Sequence, residues 1–108
     1  MGEQFPEPPK GLTDKEEEVW ESLKKVVDPE FGFSIIARGL VDEIKVKGEK
    51  AVIKYHLTVP FCPPVFALHI GRQIRERAKE VQGIRDVEVM VQQHMQSDMI
   101  NETLREEE

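Results

Sequence analysis

Ala51-Val52-Ile53-Lys54-Tyr55-His56-Leu57-Thr58-Val59-Pro60-Phe61-Cys62-Pro63-Pro64 is the stretch on which the fold turns. Ala51, Ile53, Tyr55, Leu57 and Val59 alternate with Lys54, His56 and Thr58, the period of a strand with one face in the core and one in water. The prolines at 60, 63 and 64 then stop strand pairing, and from Val65 the apolar period becomes helical. Proline suits a first helical turn because the N–H it lacks would have had no partner there. Cys62, the one cysteine of the chain, therefore falls at or just before a helix N-terminus. Unpaired amides and the helix dipole favour negative charge at such a place, which tilts a thiol toward thiolate, the form that binds metals and attacks electrophiles.

Upstream, the spacing predicts a partner strand over 40–47, with Ile44 and Val46 inward and Glu43, Lys45 and Lys47 outward, joined to the first stretch by a turn at Gly48-Glu49. Before it, Asp28-Pro29-Glu30-Phe31-Gly32 reads as a turn carrying two carboxylates, with Gly32 supplying a positive φ. Thr13-Asp14-Lys15-Glu16 has the spacing of a capping box and opens a first helix. Val19, Trp20, Leu23, Val26 and Val27 form its inner face, while Glu16, Glu17, Glu21 and Lys24 are expected in water. Residues 1–12, with prolines at 6, 8 and 9, read as a flexible lead-in or a docking arm, and 13–108 as one domain.

Downstream, a helix is predicted from about Pro64 to Val81 with Ala67, Ile70, Gly71, Ile74, Ala78 and Val81 inward and Gly83 ending it. A glycine inside a helix costs about 1 kcal/mol relative to alanine, so Gly71 marks a close approach to the sheet. Val87, Val89 and Val91 alternate as a third strand, and Ser97 can cap a last helix running to about Glu106 whose acidic end should fray. The expected fold is α+β: a two-layer sandwich in the order α-β-β-α-β-α, helices on one face of a three-stranded, mainly antiparallel sheet. In that arrangement the third strand lies beside the first.

A net charge of -6 with no dense basic patch excludes general binding to nucleic acid or anionic membrane. No run of about 18 apolar residues is present, nor the layout of a signal peptide, so the expected location is the cytoplasm. A closed zinc site lacks its motifs, since there is neither a CxxC pair nor HExxH. His56, His69 and His94 read as surface histidines rather than partners of Cys62. A thiol-dependent enzyme is the least supported reading, because no base is placed beside the thiol.

Asp28-Pro29-Glu30 after a first helix, Gly39-Leu40-Val41 opening a strand, Leu57-Thr58 before Cys62-Pro63, and Gly83-Ile84 before a valine-rich strand together resemble the metal-sulfur cluster assembly factor family. That family includes SufT-like and PaaD-like proteins and eukaryotic cytosolic iron-sulfur assembly factors. The resemblance runs from about Thr13 to Val91 and implies a carrier or adaptor in maturing iron-sulfur proteins rather than an enzyme. It places the family's cysteine on Cys62, its acidic turn on Asp28 and Glu30, and its threonine on Thr58, so these four are the expected binding residues and Cys62 the expected metal ligand. Two departures stand out: Phe61 replaces a glycine common before the cysteine, and Gln93-His94-Met95-Gln96 stands where a tryptophan is common.

Common clusters take four ligands, mostly cysteine thiolates, and this chain supplies one. A labile iron-sulfur cluster must then be shared between chains, completed by a partner or small thiol, or use Asp28, Glu30 or a histidine. This favours a homodimer or a complex with assembly proteins and client apoproteins. The alternative is an interaction adaptor of the assembly machinery that binds no cluster itself.

Overall fold

The computed structural model describes residues 5–61 and 63–107. Helix α1 (Asp14–Ser22) runs into one 3-10 turn (Leu23–Lys25); strands β1 (Val41–Lys47) and β2 (Lys50–Tyr55), helix α2 (Pro64–Lys79), strand β3 (Asp86–Val91) and helix α3 (Ser97–Glu106) follow. The element order is the one the hydrophobic periods predict.

The capping box forms: Thr13 Oγ1 accepts the Glu16 amide at 3.2 Å and Glu16 Oε1 accepts the Thr13 amide at 3.0 Å. Glu16 is not in water as expected. It is only 7% exposed, because its second oxygen reaches 30 residues along the chain to accept the Val46 amide on β1 at 2.9 Å. The inner face of α1 also ends earlier than its period suggests. Val26 is buried but extended, and Val27 is exposed, because Val27 bridges Ser34 and draws the chain out of the helix into the loop of residues 28–33.

The sheet order is β1-β2-β3, with β1–β2 antiparallel and β2–β3 parallel. This corrects the expected place of the third strand beside the first and the mainly antiparallel sheet. Alternation reports which face a residue occupies and is silent about the neighbouring strand. Lateral position follows from the crossover: one helix spanning two adjacent strands is the shortest return to the sheet, whereas a place beside β1 would carry the connection past β1 as well. The outer edge of β1 is in any case taken up by the Glu16 bond to Val46 and by a cleft lined with Pro9, Lys10, Gly11, Leu12 and Trp20.

Ile44, Ile53 and Val89 lie in one row across the sheet and Val46, Ala51 and Val87 in the next, all facing the helical layer. On the opposite face Glu43, Lys45, Lys47, Val52, Lys54, Glu88 and Met90 line an open groove, with ion pairs Lys50–Glu88 at 3.2 Å and Lys54–Glu43 at 3.8 Å. Burying the apolar rows is the main favourable term in this fold.

Helix α2 packs where Gly71 permits it. A Cβ there would stand 2.8 Å from Leu104 Cδ1 and 2.9 Å from the Tyr55 hydroxyl, which itself donates to Ala67 O at 2.6 Å. The close approach thus involves α3 as well as the sheet. Arg75 is buried and donates from Nη2 to Leu104 O at 2.8 Å, joining α2 to α3. On α3, Asn101 accepts the Val91 amide at 2.8 Å and donates to Val91 O at 3.1 Å, occupying the free edge of β3. Glu107, expected to fray, pairs with Arg72 through Nε at 2.9 Å and Nη2 at 2.7 Å. That pair offsets the unfavourable acidic charge at the helix C-terminus.

Candidate functional site

Because β1 runs against β2 while β3 runs with it, one end of the sheet collects the loop entering β1 (26–40), the loop leaving β2 (56–63) and the loop leaving β3 (92–96). The N-termini of α2 and α3 are at the same end. Asp28, Glu30 and Thr58 all lie on these loops. Cys62 lies outside the described residues.

The turn at Asp28 is built from its own side chain. Asp28 is 4% exposed; its Oδ1 accepts the Glu30 amide at 2.8 Å, its carbonyl accepts the Gly32 amide at 2.7 Å, and its amide donates to Phe33 O at 2.8 Å. Gly32 has φ +76°, where a side chain would be strained, so the expected positive φ is present. One Asp28 oxygen is thereby engaged within the loop, whereas Glu30 is exposed at the surface. Thr58 is exposed at the same sheet end and lines a cleft of ≈ 360 Å³ with Ala37, Arg38, Leu40 and His56.

At the start of α2, Pro63 is the N-cap residue and Pro64 the first helical residue, as the sequence predicts. The supply of free donors is smaller than a generic helix start offers. Neither proline has an N–H, and the Phe66 amide is engaged with Pro63 O at 3.0 Å. What the helix start offers an anion is therefore mainly its dipole rather than a ring of amides.

The histidines separate into three environments. His69 is exposed on α2. His56 holds Asp42 Oδ1 at 2.8 Å through Nδ1, and Gln92 Nε2 donates to the other Asp42 oxygen at 3.1 Å. His94 corrects the surface assignment: it is buried, and its Nδ1 accepts the Gln96 amide at 2.9 Å, which places the ring proton on Nε2. Its loop is fastened by Ser97, whose hydroxyl bonds both the His94 amide and carbonyl, at 3.1 and 2.8 Å, instead of capping α3, whose N-cap residue is Gln96. Gln93 takes φ +56°, and the Met95 amide donates to Pro60 O at 2.9 Å, tying this loop to the one that carries Phe61. The sequence signal missed at His94 is its position in the short loop after a buried strand, before a serine that bonds back onto its backbone.

Apolar side chains crowd the same end. Val27, Phe31, Phe33, Phe61, Val65, Met95 and Met99 are exposed there, Phe61 at 70% and Met95 at 79%. Among the described residues no three of His, Asp, Glu or Cys are grouped so as to hold a metal ion, and no helix is long and apolar enough to cross a membrane. The arrangement offers a rim of apolar contact surface, an acidic turn and two fixed imidazoles around the loop that carries the cysteine.

The chain resembles known proteins in three ways. The family model described as iron-sulfur cluster assembly protein matches residues 16–91. An uncharacterized protein of Methanocaldococcus jannaschii is 39% identical over 94 residues, which is 85% of this chain and 96% of that one. An iron-sulfur cluster carrier protein of Deinococcus radiodurans is 31% identical over 68 residues, 63% of this chain but 19% of the carrier, so the likeness extends over about a fifth of that longer protein. In fold, a domain of unknown function from Bacillus anthracis superposes with a TM-score of 0.68 at 24% identity, over 86% of this chain and 90% of that one. The family match runs from within α1 to the end of β3 and takes in the loops that enter β1 and leave β2: the chain belongs to the iron-sulfur cluster assembly protein family.

Proposed function

We propose that this protein carries or passes on iron-sulfur clusters during the maturation of iron-sulfur proteins, with Cys62 as the thiolate that meets the cargo and Asp28, Glu30 and Thr58 as the polar groups around it. The observation that supports the reading is topological: the loops bearing Asp28, Glu30 and Thr58 lie at one end of the sheet, within the span of the family match. The likeness to a cluster carrier over 68 residues supports the same reading. One cysteine against a demand for about four ligands means that the cargo is shared with a second copy, an assembly protein, a client apoprotein or a small thiol. Binding is accordingly labile, which suits a step of transfer. Its compartment in this reading is the cytoplasm, where thiols stay reduced.

Anaerobic reconstitution with iron and sulfide tests the proposal. Wild type should gain visible charge-transfer absorption and bound iron, and Cys62→Ser should lose both. Equal iron in the two proteins rules out ligation by Cys62. The exposed Phe61, Val65, Met95 and Met99 favour a second reading, an adaptor that docks assembly proteins and holds no cluster. That reading stands if neither protein binds iron while both retain a purified assembly partner, and Phe61→Ser with Met95→Ser releases it.

A further inference from the structure

We infer that the cleft formed by Ala37, Arg38, Leu40, His56 and Thr58 is a binding site for a small oxyanion, a carboxylate or phosphate group on a small molecule. The inference does not rest on the cluster reading, since none of its support involves Cys62. Two of the three polar side chains in the ≈ 360 Å³ cleft, Arg38 and His56, are oriented by partners that do not line it. The Arg38 guanidinium carbon lies 4.7 Å from the centre of the Phe33 ring, and among the described residues Arg38 makes no ion pair. Stacking restricts the guanidinium plane and leaves its N–H edges available to a planar two-oxygen acceptor.

His56 is anchored from behind. Its Nδ1 faces Asp42 Oδ1 at 2.8 Å, and Gln92 Nε2 fixes the other Asp42 oxygen at 3.1 Å, so strand β1 and the loop leaving β3 both restrain the ring. A carboxylate only accepts, so Nδ1 carries the proton shared with Asp42 and Nε2, across the ring, is left as an acceptor for a ligand hydroxyl. Asp42 does not line the cleft. Thr58 adds an exposed hydroxyl, and Ala37 and Leu40 add an apolar wall.

Charge decides the class of ligand. A metal cation entering the cleft would meet the Arg38 guanidinium, whereas an oxyanion meets guanidinium N–H groups and the Thr58 hydroxyl, and a P–OH of a hydrogen phosphate can donate to His56 Nε2. In a chain of net charge -6 the lining of this cleft holds an arginine and no carboxylate. The restrained groups lose little freedom when an anion binds, which favours affinity over that of a loose surface arginine.

The test is a titration of ¹⁵N-labelled protein with inorganic phosphate and, separately, with acetate, at ionic strength held constant with chloride. Saturable shifts at the Arg38, His56 and Thr58 amides are expected, with affinity falling at least about tenfold in Arg38→Gln. Saturation by phosphate alone assigns a phosphate ligand, by acetate alone a carboxylate, and by both the shared chemistry. Arg38 is exposed, so its replacement removes no core contact. No saturable shift with either anion, or an unchanged midpoint in Arg38→Gln, overturns the inference.

Discussion

Replacing Glu16 with alanine should destabilise this protein far more than an acidic residue in a first helical turn suggests. The carboxylate accepts two backbone amides, Thr13 N at 3.0 Å and Val46 N at 2.9 Å, one on each oxygen. Hydrogen bonds to a charged group contribute about 1.5–3 kcal/mol each, so the two together bound the loss at about 3–6 kcal/mol. Thr13 is exposed and water can replace its partner, while Val46 is half-buried at the sheet edge. The expected cost is therefore about 2–3 kcal/mol, the upper part of it from the orphaned Val46 amide. Urea unfolding should show a lower midpoint with an unchanged slope.

The pH dependence gives a second check on the same residue. The Thr13 and then the Val46 amide hold the Glu16 carboxyl below the usual carboxylate range; burial opposes them, and Lys45 adds a smaller pull in their direction. A depressed folded pKa means that the stabilisation is complete above the ordinary value of 4.5 and disappears as pH falls through the folded pKa. The gap between wild type and Glu16→Ala should stay constant near neutrality and narrow only below about pH 4.5. Glu16→Gln keeps the side-chain size and one acceptor and should fall between the two. A loss under about 1 kcal/mol, or a gap that widens on acidification, would refute the reasoning.

Three further outcomes follow from the packing. Gly71→Ala gains about 1 kcal/mol of helix propensity but forces Leu104 and the Tyr55 hydroxyl apart, so a net loss of about 1–2 kcal/mol is expected in a thermal melt, and an equally stable variant contradicts the close approach. Asn101→Ala should cost about 1–2 kcal/mol and speed hydrogen exchange at Val91 selectively, because both of its bonds go to that residue; unchanged exchange there would mean that α3 does not hold the strand edge. Burial pushes the Tyr55 phenol well above its ordinary value of 10, with Arg75 opposing weakly. The stability this represents is complete below that value and is lost only in stronger alkali, so ultraviolet titration of this single tyrosine should show no ionisation near pH 10 until the protein unfolds.

Local rules proved legible where the interaction is local. Thr13 and Glu16 are three residues apart and declare a helix start; the prolines at 63 and 64 declare another; Ala51, Ile53 and Tyr55 declare a buried face. Gly32 declares its positive φ because the turn admits little else. The resemblance over Thr13 to Val91 agrees with a family match over 16–91. The same local reading failed wherever a residue's partner is remote. Glu16 looked solvated because its second partner, Val46, is 30 residues away, and His94 looked superficial because its burial depends on how α3 folds back over β3.

By itself, then, the sequence determined the elements, their inner faces and the order in which they occur, since helical and strand periods and proline sterics act over a few residues. Tertiary structure alone decided that β3 pairs with β2, that Asp28 is buried within its own loop, and that Arg38, His56 and Thr58 share one cleft. These are choices among neighbours. They depend on which surfaces remain to be covered once the crossover helix has packed, and no local period carries that information.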